Sequence, residues 1–249
     1  LDLLSNYQWD RPLNLLNMGG DLNIGIKDYL MYDGFSYRFV PFKNKITSTD
    51  PGLVDALDLY RKMTDGTFKW DALGRKDWFV DYQNMYTFLG VLSQRQLFVN
   101  VANCLIDAGE RGKALDILDL CQKNFPKENF PLETIPLGFT SNDYMVVQMV
   151  ENYYFLGMRD KARELGQELA EGLLDTSRFY LEFIDYASSD FESCHRCILY
   201  LAEVFKKYGD KKLSESLLDS LEMLVRAATG DLEYEEDRPA ATDTAAVAE

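Results

Sequence analysis

Histidine is almost absent: His195 is the only one in 249 residues. With one imidazole, no sequence signature of a nucleophile elbow and no phosphate-cradling Gly loop, a Ser/His/Asp relay or a nucleotide site has no foundation. Cysteine is also sparse, at four. Cys104 lies five residues before Gly109 and Cys121 twelve after it. If a helix hairpin turns at Gly109, that mismatch is about 10 Å of helix axis, beyond the ~7 Å Cα separation that a disulfide spans. Both thiols are therefore expected to pack as small apolar groups. Basic residues are outnumbered, 26 against 41 acids, for a net charge of −15. Residues 231–249 carry seven acids against Arg238, a net of −6, leaving −9 to the first 230. An acidic body excludes phosphate-backbone binding, which needs clustered Lys and Arg, so nucleic acid is not an expected partner. No apolar run approaches the ~20 residues that span a bilayer, and no basic-then-apolar leader opens the chain. It begins on Leu1 rather than Met, so the chain is expected to be either processed or, as the favoured reading, a segment of a longer protein.

What is present is apolar material, 47% hydrophobic and 13% aromatic, arranged in a recurring phrase. A long amphipathic run ends in Gly, and a small residue follows five positions on. The three copies are Val101–Ala108 with Gly109 and Ala114, Met149–Leu156 with Gly157 and Ala162, and Leu201–Tyr208 with Gly209 and Ser214. Gly ends a helix easily because the left-handed cap carries no Cβ penalty. The small residue lets the returning helix approach. Hairpins of this kind bury their apolar faces only by stacking on neighbours. The apolar registers agree before each turn, as Leu97/Met145/Cys197 and Val101/Met149/Leu201. The Gly spacings of 48 and 52 residues exceed the ~34 of a regular tetratricopeptide unit, so the repeat is degenerate.

This predicts a mostly α chain: a tetratricopeptide-like α-α superhelix of stacked hairpins behind a small mixed α+β module. The module spans 1–83, the repeats 84–230, and a disordered acidic tail 231–249. In the module, helices are expected over Leu1–Tyr7, Gly25–Asp33 and Leu53–Met63, and strands over Leu13–Leu16 and Phe35–Val40. The first hairpin runs from Asn84 to Ala108 and returns over Lys113–Asn124. Pro126, Pro131 and Pro136 make Phe125–Phe139 a loop. Ser141 caps the next arm. The arm from Arg159 is expected to bend near Asp175–Ser177, with Ser188–Ser189–Asp190 as a break and cap. Phe191–Tyr208 and Lys211–Ala227 form the last hairpin.

Trp9-Asp10-Arg11-Pro12, then Asp28-Tyr29-Leu30, then Gly34-Phe35-Ser36-Tyr37-Arg38-Phe39-Val40-Pro41 resemble a large bacterial family of multi-pass membrane proteins related to protein O-mannosyltransferases. Arg95, Phe98, Ala102, Gly109, Ala114 and Leu118 are similar to the tetratricopeptide-like end of those proteins. The resemblance covers most of residues 1–225. One departure is Leu13-Asn14-Leu15-Leu16, where the family places an aromatic-containing strand. The resemblance implies that glycosyl transfer from a lipid-linked sugar belongs to membrane-face loops outside these residues. It implies an extracytoplasmic, periplasmic setting, with the membrane reached through a preceding part of the parent protein. No catalytic residue carries over, and no cofactor is implied.

Several residue groups invite chemistry. Cys194-His195-Arg196-Cys197 looks like a metal or redox motif, but a structural zinc site needs four ligands, and the two Cys sit i, i+3 on a helix whose apolar face continues through Ile198 and Leu201. Packing is the expected role, and no metal site is expected. Trp9, Arg11, Tyr37 and Arg38 gather planar groups that packing of the module explains equally. Asp71, Asp77 and Asp81, interleaved with Trp70, Trp78 and Tyr82, present acids and aromatic faces that a sugar-binding cleft uses. Trp70, Asp71, Trp78, Asp81 and Tyr82 are the candidate binding residues. Such a loop joining two modules is more often an inter-module interface with solvated acids, and that is the favoured reading. Three functions follow: a non-catalytic scaffold docking a protein or glycan acceptor on the first arms, a glycan-binding or glycan-active module centred on Trp70–Tyr82, and a soluble cytoplasmic repeat adaptor.

Overall fold

Three turns share one hydrogen-bonding pattern. Gly109, Gly157 and Gly209 have φ of 79°, 85° and 85°, a left-handed conformation costly for any residue with a Cβ. The following N–H reaches back over each helix end: Glu110 to the Leu105 carbonyl, Met158 to Tyr153 and Asp210 to Phe205, each at 2.8 Å. The Gly N–H bonds the carbonyl three residues back in all three turns. This double closure satisfies the last helical carbonyls.

The computed structural model describes residues 2–16, 25–43, 55–70, 72–75, 77, 79–81, 94–133 and 142–229. The chain is mostly helical with a small antiparallel sheet near its start. A short helix α1 (Asp2–Ser5) precedes strand β1 (Asn14–Leu15), a 3-10 turn at Lys27–Tyr29, and strands β2 (Leu30–Tyr32) and β3 (Tyr37–Phe39). The sheet order is β1-β3-β2, with Asn14 opposite Arg38 and Met31 opposite Arg38 on the other side. Helix α2 covers Ala56–Thr64, α3 Gln94–Asp107, α4 Arg111–Asn124 and α5 Asn142–Phe155. Then come α6 (Arg159–Glu182), α7 (Ile184–Lys207) and α8 (Lys211–Thr229). The chain divides into two compact units, residues 1–169 and 170–249, so the boundary falls inside α6.

In the first unit α2 packs on α3 and α4, and α5 packs on α3. An aromatic chain links the sheet region to the first hairpin. Phe35 meets Phe68 edge-on at 4.8 Å, Trp70 lies 4.9 Å from Phe98, and Phe98 continues to Phe125 and Phe130. Such offset and edge-on pairs add to the area they bury. Gly34, with φ +93°, lets the turn before β3 press against Phe68, whose ring carbons would stand 3.1 Å from an added Cβ. In the second unit α7 packs on α8.

The expected helix over Gly25–Asp33 is replaced by the 3-10 turn and β2. Here tertiary pairing overrides local preference: Leu30–Tyr32 form a ladder with β3, and the Val40 N–H closes on the Tyr29 carbonyl at 2.8 Å. The helix is unbroken through Asp175–Ser177. The break sits instead at Phe183 (φ −124°, ψ 29°) and Ala187 (φ −116°, ψ 18°), just ahead of Ser188. Ser188, Ser189 and Asp190 are helical rather than a cap. The start of the first arm, the Ser141 cap, the 83/84 boundary and the tail from 231 lie outside the described residues.

Candidate functional site

The two first arms of the first unit repeat position by position at an offset of 48 residues, from Gly109 to Gly157. Leu97, Phe98, Val99, Val101, Ala102 and Leu105 are buried, and so are their counterparts Met145, Val146, Val147, Met149, Val150 and Tyr153. The remaining stripe is more open on both helices: Gln96, Asn100 and Asn103 on α3, Tyr144, Gln148, Glu151 and Asn152 on α5. The stripe is rich in carboxamides. Asn152 Nδ2 donates to Asn103 Oδ1 at 2.8 Å and joins the two arms. A carboxamide offers donors and an acceptor together, which suits an extended backbone or a hydroxyl-bearing ligand equally.

A second feature lies where α4, α5 and the start of α6 meet: a cavity of about 320 Å³ lined by Asp119, Gln122, Tyr153, Lys161, Glu164, Leu165 and Glu168. Tyr153 donates from its hydroxyl to Asp119 Oδ1 at 2.9 Å and accepts from Gln122 Nε2 at 3.3 Å. Lys161 Nζ donates to both Asp119 oxygens at 2.7 Å and stands 5.8 Å over the Tyr153 ring. At the rim Lys127 pairs with Glu168. Burial, and then the Asp119 charge, drive the Tyr153 phenol well above its ordinary pKa, so it stays a neutral donor. The sequence carried one signal for this network. Tyr153 occupies the register held by Leu105 and Phe205, and a hydroxyl at a buried apolar position needs a partner.

Of the expected sugar-binding residues the structure describes Trp70 and Asp81. Trp70 is 7% exposed, ringed by Phe35, Phe68 and Phe98. Its indole N–H donates to the Met63 carbonyl at 3.2 Å. Its faces thus belong to the core. Asp81 is exposed, and Asp77 pairs with Arg75 at 2.7 Å. Asp71, Trp78 and Tyr82 lie outside the described residues. Trp9 stacks on Phe39 at 5.2 Å and 11°, so these planar groups pack on the sheet; Arg38 bonds Asp33 at 2.8 Å, and Lys62 bonds the same carboxylate at 2.5 Å. Cys194 and Cys197 are buried beside Ile198 and Leu201, while His195 is half-exposed. Cys104 and Cys121 are thiols. Among the described residues no group of three or more His, Cys, Asp or Glu is placed to hold a metal ion, and no helix is long and apolar enough to cross a membrane.

A family model described as TMEM260-associated domain 2 matches residues 1–58, the stretch that holds the sheet and the Gly34–Pro41 phrase. That family is linked to TMEM260, a protein O-mannosyltransferase-like protein. No curated protein and no solved structure matches the chain.

Proposed function

We propose that the chain is a non-catalytic interaction module of a glycosyltransferase-like membrane protein, docking an extended polypeptide acceptor along the first arms on the extracytoplasmic side. The carrying observation is the Asn152–Asn103 bridge within a carboxamide stripe shared by α3 and α5. An extended backbone presents alternating N–H and C=O groups, and a carboxamide answers both without charge. The match of residues 1–58 to a TMEM260-associated domain supports the membrane-protein setting.

The test is selection of peptide binders from an unbiased displayed library against the 249-residue chain. Selected peptides lose at least about tenfold in affinity (~1.4 kcal/mol) when Asn100→Ala and Gln148→Ala are combined. They keep it in Glu215→Ala, on the other unit. Binders indifferent to the stripe, or no binders at all, would defeat this reading.

A further inference from the structure

The third hairpin keeps most of the buried positions of the first two, and two leucines depart furthest from them. Cys197, Ile198, Leu201, Ala202 and Phe205 are buried like their counterparts on α3 and α5. Val99 and Val147 are both 0% exposed, yet the equivalent Leu199 is 40% exposed. On the return arms Leu118 is 0% exposed and Leu218, at the same distance past its Gly, is 39%. In the first unit α5 is laid on α3, the arm that carries Val99, whereas among the described residues no helix follows α8 to be laid on α7.

Charge on α7 selects the occupant. Taking Leu199 as a centre, Glu192 stands seven residues before it and Lys206 seven after; His195 stands four before it and Glu203 four after, with Arg196 beside His195. Opposite signs at mirrored positions are what an antiparallel pairing of α7 with another α7 requires. A two-fold axis through Leu199 sets Glu192 of each copy against Lys206 of the other, and Glu203 against His195, with the Arg196 cation one residue away. In a single copy Glu192 meets, among the described residues, the exposed Arg196 at 3.6 Å on the same helix, a contact worth little in water.

We infer that the α7–α8 face centred on Leu199 and Leu218 is a self-association surface that pairs two copies of this chain about a two-fold axis. The straight part of α7, residues 188–207, is about 30 Å long. Two helices side by side present roughly 600 Å² per copy, below the ~800 Å² of a standard interface. The dimer is accordingly weak.

Sedimentation equilibrium of the 249-residue chain tests this. The chain runs as a concentration-dependent dimer, and Leu199→Glu raises Kd at least about tenfold with an unchanged far-ultraviolet spectrum. Glu192→Lys weakens association by itself, and adding Lys206→Glu restores it. That restoration separates charge pairing from any effect on folding. A chain that stays monomeric to about 200 µM overturns the proposal, including the case where another protein's helix covers the face. So does a Leu199→Glu variant that dimerises as tightly as the parent.

Discussion

Arg95 and Pro131 meet through a buried guanidinium and a backbone carbonyl, Nη1 to O at 2.6 Å. The Phe130 carbonyl takes Nη2 at 2.6 Å, and Phe125 lies under the guanidinium carbon at 5.6 Å. Arg95 is 2% exposed. It ties the 125–131 loop to α3 through main-chain oxygens, which exist whatever side chains the loop carries.

Removing that guanidinium strands buried acceptors. Arg95→Met keeps most of the volume, yet costs about 2–4 kcal/mol, since each unsatisfied buried carbonyl costs roughly 1–3. Urea unfolding reads this as a lower midpoint at constant slope. A loss under about 1 kcal/mol would mean the loop is held by its phenylalanines alone.

Asp119 couples unequally to its two partners. Tyr153 is buried, whereas Lys161 and Asp119 are each close to 40% exposed. A double-mutant cycle on Tyr153→Phe and Asp119→Ala should give about 1 kcal/mol of coupling. The cycle on Lys161→Met and Asp119→Ala should give less, in the ~0–1 kcal/mol of exposed pairs. The reverse order of couplings would show that the cavity opens to water more than its burial implies.

Stability falls on the alkaline side. Burial pushes the Cys121 thiol from 9.0 up to about 12, and burial raises the Tyr32, Tyr37 and Tyr153 phenols above their ordinary 10.0. Each group keeps its proton longer when folded than when unfolded. The contribution is therefore complete below about pH 9 and disappears as pH climbs through the folded values. Thermal melts at pH 7 to 11 should show a melting temperature that drops above pH 9, less steeply in Tyr153→Phe. A flat profile would place these groups in water.

The helical half was legible because its signals are local. Gly109, Gly157 and Gly209 announce their caps, and Leu97/Met145/Cys197 announce the buried face. The helix expected over Gly25–Asp33 failed for a non-local reason, since only β3, which also pairs with β1, makes Leu30–Tyr32 a strand. Ser188–Ser189–Asp190 looked like a cap because such residues usually are, whereas Phe183 and Ala187 take the break without a side-chain cap. Trp70 looked like a ligand platform because sequence neighbours Asp71 and Trp78 share its loop. Its burial comes from Phe35 and Phe98, distant in the chain. The Asp119–Tyr153–Lys161 network draws on three helices and left a single trace, the hydroxyl on Tyr153.

The matched arms have an evolutionary corollary. When two arms agree at most positions in what they hide, either can serve as template for the other, and copying the 48 residues from Gly109 to Gly157 extends such a protein with little new interior to invent. Such an architecture grows or shrinks by whole hairpins, so relatives should differ in length by about one hairpin unit more readily than by arbitrary insertions.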